Sequence, residues 1–205
     1  MKIARALIAL VLTGFVLASD TPAATLKEAQ TAMAKATAFM QSIATEGGYL
    51  WRYSDDLKER AGENKATDTQ IWIQPPGTPS MGAAFLRAYE ATRDKRFLEA
   101  ARGAAHALAR GQLESGGWDY LIDFDPAKFK QAYHRSDKGK LSEAEAAKRR
   151  NTTTFDDDNT QSALRFLMAF VEAAKGAPRR VERLAEQYRP LIGEGQHDAR
   201  RFRDQ

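Results

Sequence analysis

Thr152-Thr153-Thr154-Phe155-Asp156-Asp157-Asp158-Asn159-Thr160-Gln161-Ser162-Ala163-Leu164-Arg165-Phe166-Leu167-Met168 joins an acidic loop to a run with helical spacing. Ala163, Leu164, Leu167, Met168, Val171 and Ala174 recur at three- and four-residue steps, one apolar face of a helix from about 159 to 175. Asp158 or Asn159 is the natural N-cap, because a side-chain oxygen there accepts an orphan backbone N–H. The acids then lie at the positive end of the helix dipole, which favours their charged form. A cap needs one oxygen. This stretch supplies three carboxylates, an amide and several threonine hydroxyls, so it reads as a polar site as well as a helix start.

The same helical plan extends outward in both directions. Leu26, Ala29, Met33, Ala36, Phe39, Met40 and Ile43 form one stripe, closed by Gly47-Gly48. Thr78-Pro79 reads as a cap followed by proline at the first helical position, opening a helix to about Thr92. Asp94 caps the next, whose face is Phe97, Leu98, Ala101, Ala104, Ala105, Leu108 and Leu113. Ile71-Trp72-Ile73 is a short extended piece. Residues 135–150 are a charged, partly helical excursion, and Pro178 opens a last helix through Val181, Leu184, Ala185, Tyr188 and Leu191.

Two segments repeat. Ala32–Tyr49 and Ala101–Trp118 are each an alanine-rich helix followed by Gly-Gly-aromatic, and Ala84–Ala91 resembles Arg165–Glu172. The predicted fold is all-α: helical hairpin repeats forming part of an (α/α) toroid, with the 116–126 and 152–159 loops together at one end.

The chain has 205 residues, enough for one domain, and no cysteine, which removes disulfide and thiol chemistry. Residues 1–24 read as an export signal: Lys2 and Arg5, then an apolar stretch from Ile8 to Leu17 that is too short to span a bilayer. Cleavage after Ala18 or Ala24 predicts a secreted or periplasmic protein with no stable membrane span. Residues 25–192 form the helical domain and 193–205 an irregular charged tail. The net charge of +4 gives no case for nucleic acid and is compatible with an anionic carbohydrate.

The acidic stretch resembles the pectate lyases of polysaccharide lyase family 10, the pectic acid lyases. Their pattern is Thr-Ile-Asp-Asn-x-Ala-Thr, four residues, then Arg-Phe-Leu. Here Thr154-Phe155-Asp156-Asp157-Asp158-Asn159-Thr160 is followed by four residues and Arg165-Phe166-Leu167. Gly116-Gly117-Trp118 is similar to the family's Gly-Gly-Trp turn. Asp119-Tyr120-Leu121 replaces a usual Lys-Asn continuation, and Asp157 replaces an asparagine. These departures imply a divergent branch, and the helical plan of the family covers about residues 27–192.

The resemblance implies β-elimination on pectate or polygalacturonate, with calcium neutralising the uronate carboxylate. It places Asp156 in the active site. Asp156, Asp157 and Asp158 are then the candidate calcium ligands, helped by Asp119, Asp123 or Asp125. The family's general-base arginine lies well downstream, and no residue here is equated with it. The chain is therefore expected to be the N-terminal portion of a longer lyase.

Trp51 and Trp118, after the Gly-Gly turns, either stack on sugar rings or cap the core. Arg52 and Arg135 carry guanidiniums that match a uronate carboxylate. Asp119 and Asn159 complete the candidate substrate contacts. His106 reads as packing or surface, and His134 and His197 are isolated, so no histidine metal site is expected. Two other functions fit these residues: a non-catalytic acidic-carbohydrate-binding protein, and a terpene-cyclase-like toroid with Asp156-Asp157-Asp158 as its acidic motif.

Overall fold

The computed structural model describes residues 25–175. The expected export signal, the helix expected from Pro178, the expected tail and His197 lie outside the described residues. Four long helices carry the fold: α1 (Leu26–Ile43), α2 (Thr78–Thr92), α3 (Lys95–Gly111) and α6 (Asn159–Ala174). Two single-turn helices, α4 (Pro126–Phe129) and α5 (Glu143–Ala146), lie in the excursion between α3 and α6. The described chain is mostly helical, as expected.

Only Arg93 and Asp94 separate α2 from α3, and a connection that short makes the two helices a hairpin. Arg93 is left-handed (φ 57°, ψ 16°) and its N–H returns to the Tyr89 carbonyl, ending α2. Asp94 then caps α3 as expected, accepting the Arg96 N–H. The α3 face is small and wholly inside. Ala101, Ala104, Ala105, Ala107 and Leu108 are fully buried, so α2 and α6 approach the α3 backbone closely. Gly82 of α2 meets the Phe166 ring of α6, where an added Cβ would stand 2.3 Å from the ring. Phe166 and Phe170 are buried beside Leu167 and Ala163. The expected α6 stripe is right in its centre and omits these two rings.

Strand structure is more plentiful than the sequence signals. β1 (Arg52–Tyr53), β2 (Arg60–Ala61) and β3 (Lys65–Ala66) form one antiparallel sheet, and β4 (Gln70–Trp72) pairs with β5 (Leu121–Asp123) in another. Gln70 faces Asp123 and Trp72 faces Leu121 across that second ladder. It ties the segment before α2 to the segment after α3, at the end where α2 and α6 begin and α3 stops.

Two expectations need correction here. Thr78 does not cap α2. It lies inside the first turn, and its hydroxyl accepts the Tyr49 N–H and donates to the Tyr49 carbonyl. Thr78 thereby latches the first Gly-Gly-aromatic turn to α2. The apolar stripe of α1 is not a core face among the described residues. Thr37 is its only buried residue, and Leu26 and Phe39 are exposed. The described helices give hairpin packing; closure of a toroid is not part of what they display.

Candidate functional site

Both Gly-Gly turns have the same physical reason. The first glycine is left-handed (Gly47 φ +89°, Gly116 φ +101°), a conformation that costs glycine nothing. The second has no room for a side chain. A Cβ on Gly48 would strike Ile71, and one on Gly117 would stand 2.3 Å from the Thr153 methyl. The aromatic that follows turns inward in both: Tyr49 and Trp118 are buried at 1% and 0% exposure. Trp118 donates its indole N–H to the Leu108 carbonyl at 2.8 Å. It is a core anchor, and its assignment as a sugar platform is corrected. A repeat that ends in an aromatic reads alike whether the ring points in or out.

The 116–126 and 152–159 loops do meet. The Thr154 N–H donates to the Trp118 carbonyl (2.9 Å), and the Gly117 N–H donates to the Thr153 hydroxyl (3.1 Å). Asn159 Nδ2 and the Thr160 hydroxyl converge on the same Trp118 carbonyl at 3.1 and 3.3 Å. Thr160 Oγ1 also accepts the Trp118 N–H. Asn159 is fully buried, so it supports the two loops from within and its side chain is closed to an outside molecule. That corrects its assignment as a substrate contact.

Above this frame stands the acidic turn. Asp156–Asp158 form a 3-10 turn, and Asp157 (φ 50°, ψ 34°) and Asp158 (φ 59°, ψ 24°) are both left-handed. Two successive non-glycine residues there cost about 1 kcal/mol or more each, least for Asp and Asn. The N-cap of α6 is Asp158, but its side chain caps nothing. It pairs instead with Arg165, about two turns into the helix. Asp156 Oδ1 accepts the Asp157 N–H at 3.0 Å, and Oδ2 faces the Tyr120 hydroxyl at 3.4 Å. Tyr120 has its pKa raised by partial burial and by the Asp156 and Asp157 carboxylates. Phe155 is 63% exposed beside them. Phe155 and Tyr120 are thus the aromatic groups at the acids. Sequence reading passed over both, and the signal available was only an aromatic next to each motif.

The remaining candidates separate. Asp119 accepts the Tyr120 N–H (2.8 Å) and stands 3.5 Å from the Thr154 hydroxyl; Arg150 Nε is 3.1 Å from its other oxygen. Asp123 is structural. Burial would raise its pKa, but donation from the Thr69 hydroxyl, the Asp125 N–H and the Gln70 amide outweighs that and lowers it. Asp125 caps α4 through the Ala127 and Lys128 N–H groups. Trp51 is half-buried, with its indole N–H on the Gln74 carbonyl and its ring edge-on to Trp72. Arg52, exposed on β1, reaches the Gly62 carbonyl at 3.4 Å. Arg52 belongs to the three-stranded sheet, and Trp51 directly precedes its first strand. Arg135 opens a 3-10 turn in the excursion. His134 is buried against Phe129, ring centroids 3.9 Å apart, and burial lowers its pKa. His106 is also shifted down, by burial and then by Arg102 and Arg110.

Among the described residues no three His, Asp or Glu side chains stand where they could hold one metal ion together. Asp158 is engaged by Arg165, Asp119 by Arg150, and Asp123 and Asp125 by local donors. Of the three acids in the turn itself, Asp156 and Asp157 have no ion pair among the described residues. Calcium takes six to eight oxygens. These two carboxylates suit one side of an ion shared with a ligand, and do not form an enclosed cage. No helix of the described residues is long and apolar enough to cross a membrane.

The chain matches no protein-family model, no curated protein and no solved structure.

Proposed function

We propose that this chain is a pectate-lyase-like protein that engages a uronate polysaccharide at the Phe155–Asp156–Tyr120 face and serves its cleavage by β-elimination. The observation that carries this reading is the meeting of the Gly-Gly-Trp and acidic loops, which holds Asp156 in the open on a buried frame. In the resemblance to polysaccharide lyase family 10, these two motifs form the active site.

The chemistry asked of the site follows from the substrate. A proton leaves the carbon next to the uronate carboxylate, and the glycosidic oxygen departs, leaving an unsaturated end. Phe155 offers an exposed ring face to a sugar. Asp156 and Asp157 carry charge of the same sign as the polymer, so they repel it unless a cation lies between. Calcium, shared between these two residues and the polymer's own carboxylates, is the cation proposed. When bound it would supply the charge that acidifies the proton. The export segment at residues 1–24 accords with an extracellular polymer, and we place the mature protein outside the cytoplasm.

The test is ultraviolet absorbance from unsaturated ends on polygalacturonate, with and without a calcium chelator. Calcium-dependent release by the wild type, lost in Asp156→Asn, is the expected result. Absence of release together with absence of polygalacturonate binding would refute the reading.

A second reading, binding without cleavage, is favoured by one observation. The arginines of this end, Arg150 and Arg165, are each paired with a carboxylate. Arginine is a poor base at ordinary pH, and one already engaged by a carboxylate is not turned toward a substrate proton. Binding of polygalacturonate without any unsaturated product would select this alternative. The acidic turn stands exposed rather than in an enclosed apolar cavity, which argues against the terpene-cyclase-like reading.

A further inference from the structure

Asp119, whose carboxylate meets the Thr154 hydroxyl, is also a wall of a cleft of about 30 Å³. Asp119, Asp123, Lys128, Phe129, His134 and Arg150 are among its walls. We propose that this cleft is a carboxylate subsite, in which Arg150, aided by Lys128, reads the carboxylate of a hexuronate unit of the polymer. The proposal rests on the uronate reading above and names the group that selects acid over ester.

Arg150 is placed differently from an ordinary surface arginine. Its backbone is fixed on both sides: its N–H donates to the Gln131 carbonyl and its carbonyl accepts the Tyr133 N–H, at 2.9 and 2.8 Å. A parallel bridge joins it to Ala132. Its side chain is nevertheless 53% exposed. The stem is positioned and the head is free to exchange partners. Arg150 meets Asp119 through Nε, and its terminal nitrogens make no hydrogen bond among the described residues. Those nitrogens form the planar fork that matches a carboxylate.

The acids of the cleft do not close it to an anion. Asp123 is satisfied by Thr69, Gln70 and the Asp125 N–H, so it does not need Lys128. Asp119 keeps the Tyr120 N–H and the Thr154 hydroxyl when Arg150 turns away. Half-exposed ion pairs contribute little net stability, so a uronate carboxylate can replace Asp119 on the guanidinium. Burial lowers the pKa of His134, which disfavours a further cation next to Arg150. The small volume accommodates a carboxylate group and not a sugar ring, which leaves the ring over Asp119 and Tyr120.

The experiment is calorimetric titration of the full chain with trigalacturonate and with its fully methyl-esterified form, at fixed calcium. The wild type is expected to prefer the acid by at least about tenfold. Arg150→Gln should narrow that preference by weakening the acid form alone, leaving the part that calcium supplies. Arg150→Lys should keep part of it, because it retains charge and loses the fork. Asp119→Asn, which frees the guanidinium, should tighten the acid form. If the wild type binds the acid form and Arg150→Gln binds it equally well, the subsite is wrong and the uronate reading stands. If Arg150→Gln weakens acid and ester alike, Arg150 is structural and the subsite is again wrong. If the wild type binds neither, both readings fall. The melting temperature of each variant, expected unchanged, separates these outcomes from misfolding.

Discussion

Asp156 and Asp158 are two positions apart and have different work. Asp158 is held by Arg165, while among the described residues Asp156 meets only a neighbouring N–H and the Tyr120 hydroxyl. Asp156→Asn keeps an oxygen for that N–H and removes one charge. It is expected to leave the melting temperature unchanged and to abolish calcium-dependent binding of polygalacturonate. Thermal unfolding and calorimetry on the same preparation check both halves. Asp123 is the opposite case, an acid chosen for folding. Its pKa is lowered in the fold, so its contribution is present above the ordinary carboxylate range and is lost as pH falls through the depressed value. Asp123→Asn should cost about 1–3 kcal/mol near neutral pH. The gap between wild type and variant should shrink as pH drops below 4, as chemical denaturation across that range will show.

At the scale of elements, two glycines set two different contacts. Gly82 lets α2 lie against Phe166 of α6, and Gly117 lets the Gly-Gly-Trp turn lie against Thr153. Gly82→Ala overpacks the helix contact and should destabilise the fold by roughly 1–3 kcal/mol, with polygalacturonate affinity retained at low temperature. Gly117→Ala pushes apart the two loops of the site, so it should lose affinity even where it remains folded. Denaturant titration paired with binding distinguishes the two. Equal binding by both variants would show that the loops' meeting does not matter to the ligand.

Over the described molecule, packing is uneven. The α2–α3 hairpin and α6 share the core, while α1 buries a single residue. Opening free energy follows buried contacts. Backbone amides of α1 are therefore expected to exchange with solvent well before those of α3, measured by hydrogen exchange and mass spectrometry. Protection of α1 equal to α3 would mean that its exposed stripe at Leu26 and Phe39 is covered in solution.

Helix positions in this protein follow from periodicity and caps, which are local. The spacing of 159–175 and the Asp94 cap are legible because a helix satisfies its own backbone, and neighbours in sequence decide it. The tie between the Gly-Gly-Trp turn and the threonine-rich loop is legible only as two motifs that share a resemblance. Which way a side chain points was not available at that level. Trp118 reads equally as a sugar platform or a core cap and is the latter; Asn159 reads as a ligand contact and is a buried support; Thr78 reads as a cap and is a latch on Tyr49; Phe155, given no role by the sequence, stands open next to Asp156. Inward and outward placement depends on what arrives from the rest of the chain, here the Leu108 carbonyl 10 residues before Trp118 and the Trp118 carbonyl 41 residues before Asn159. The sequence by itself determined where the helices run and that acids gather at the start of the last described one. Tertiary structure alone decided which of those acids is left uncommitted, because an ion pair or a buried hydrogen bond forms only where the fold brings two distant groups within reach.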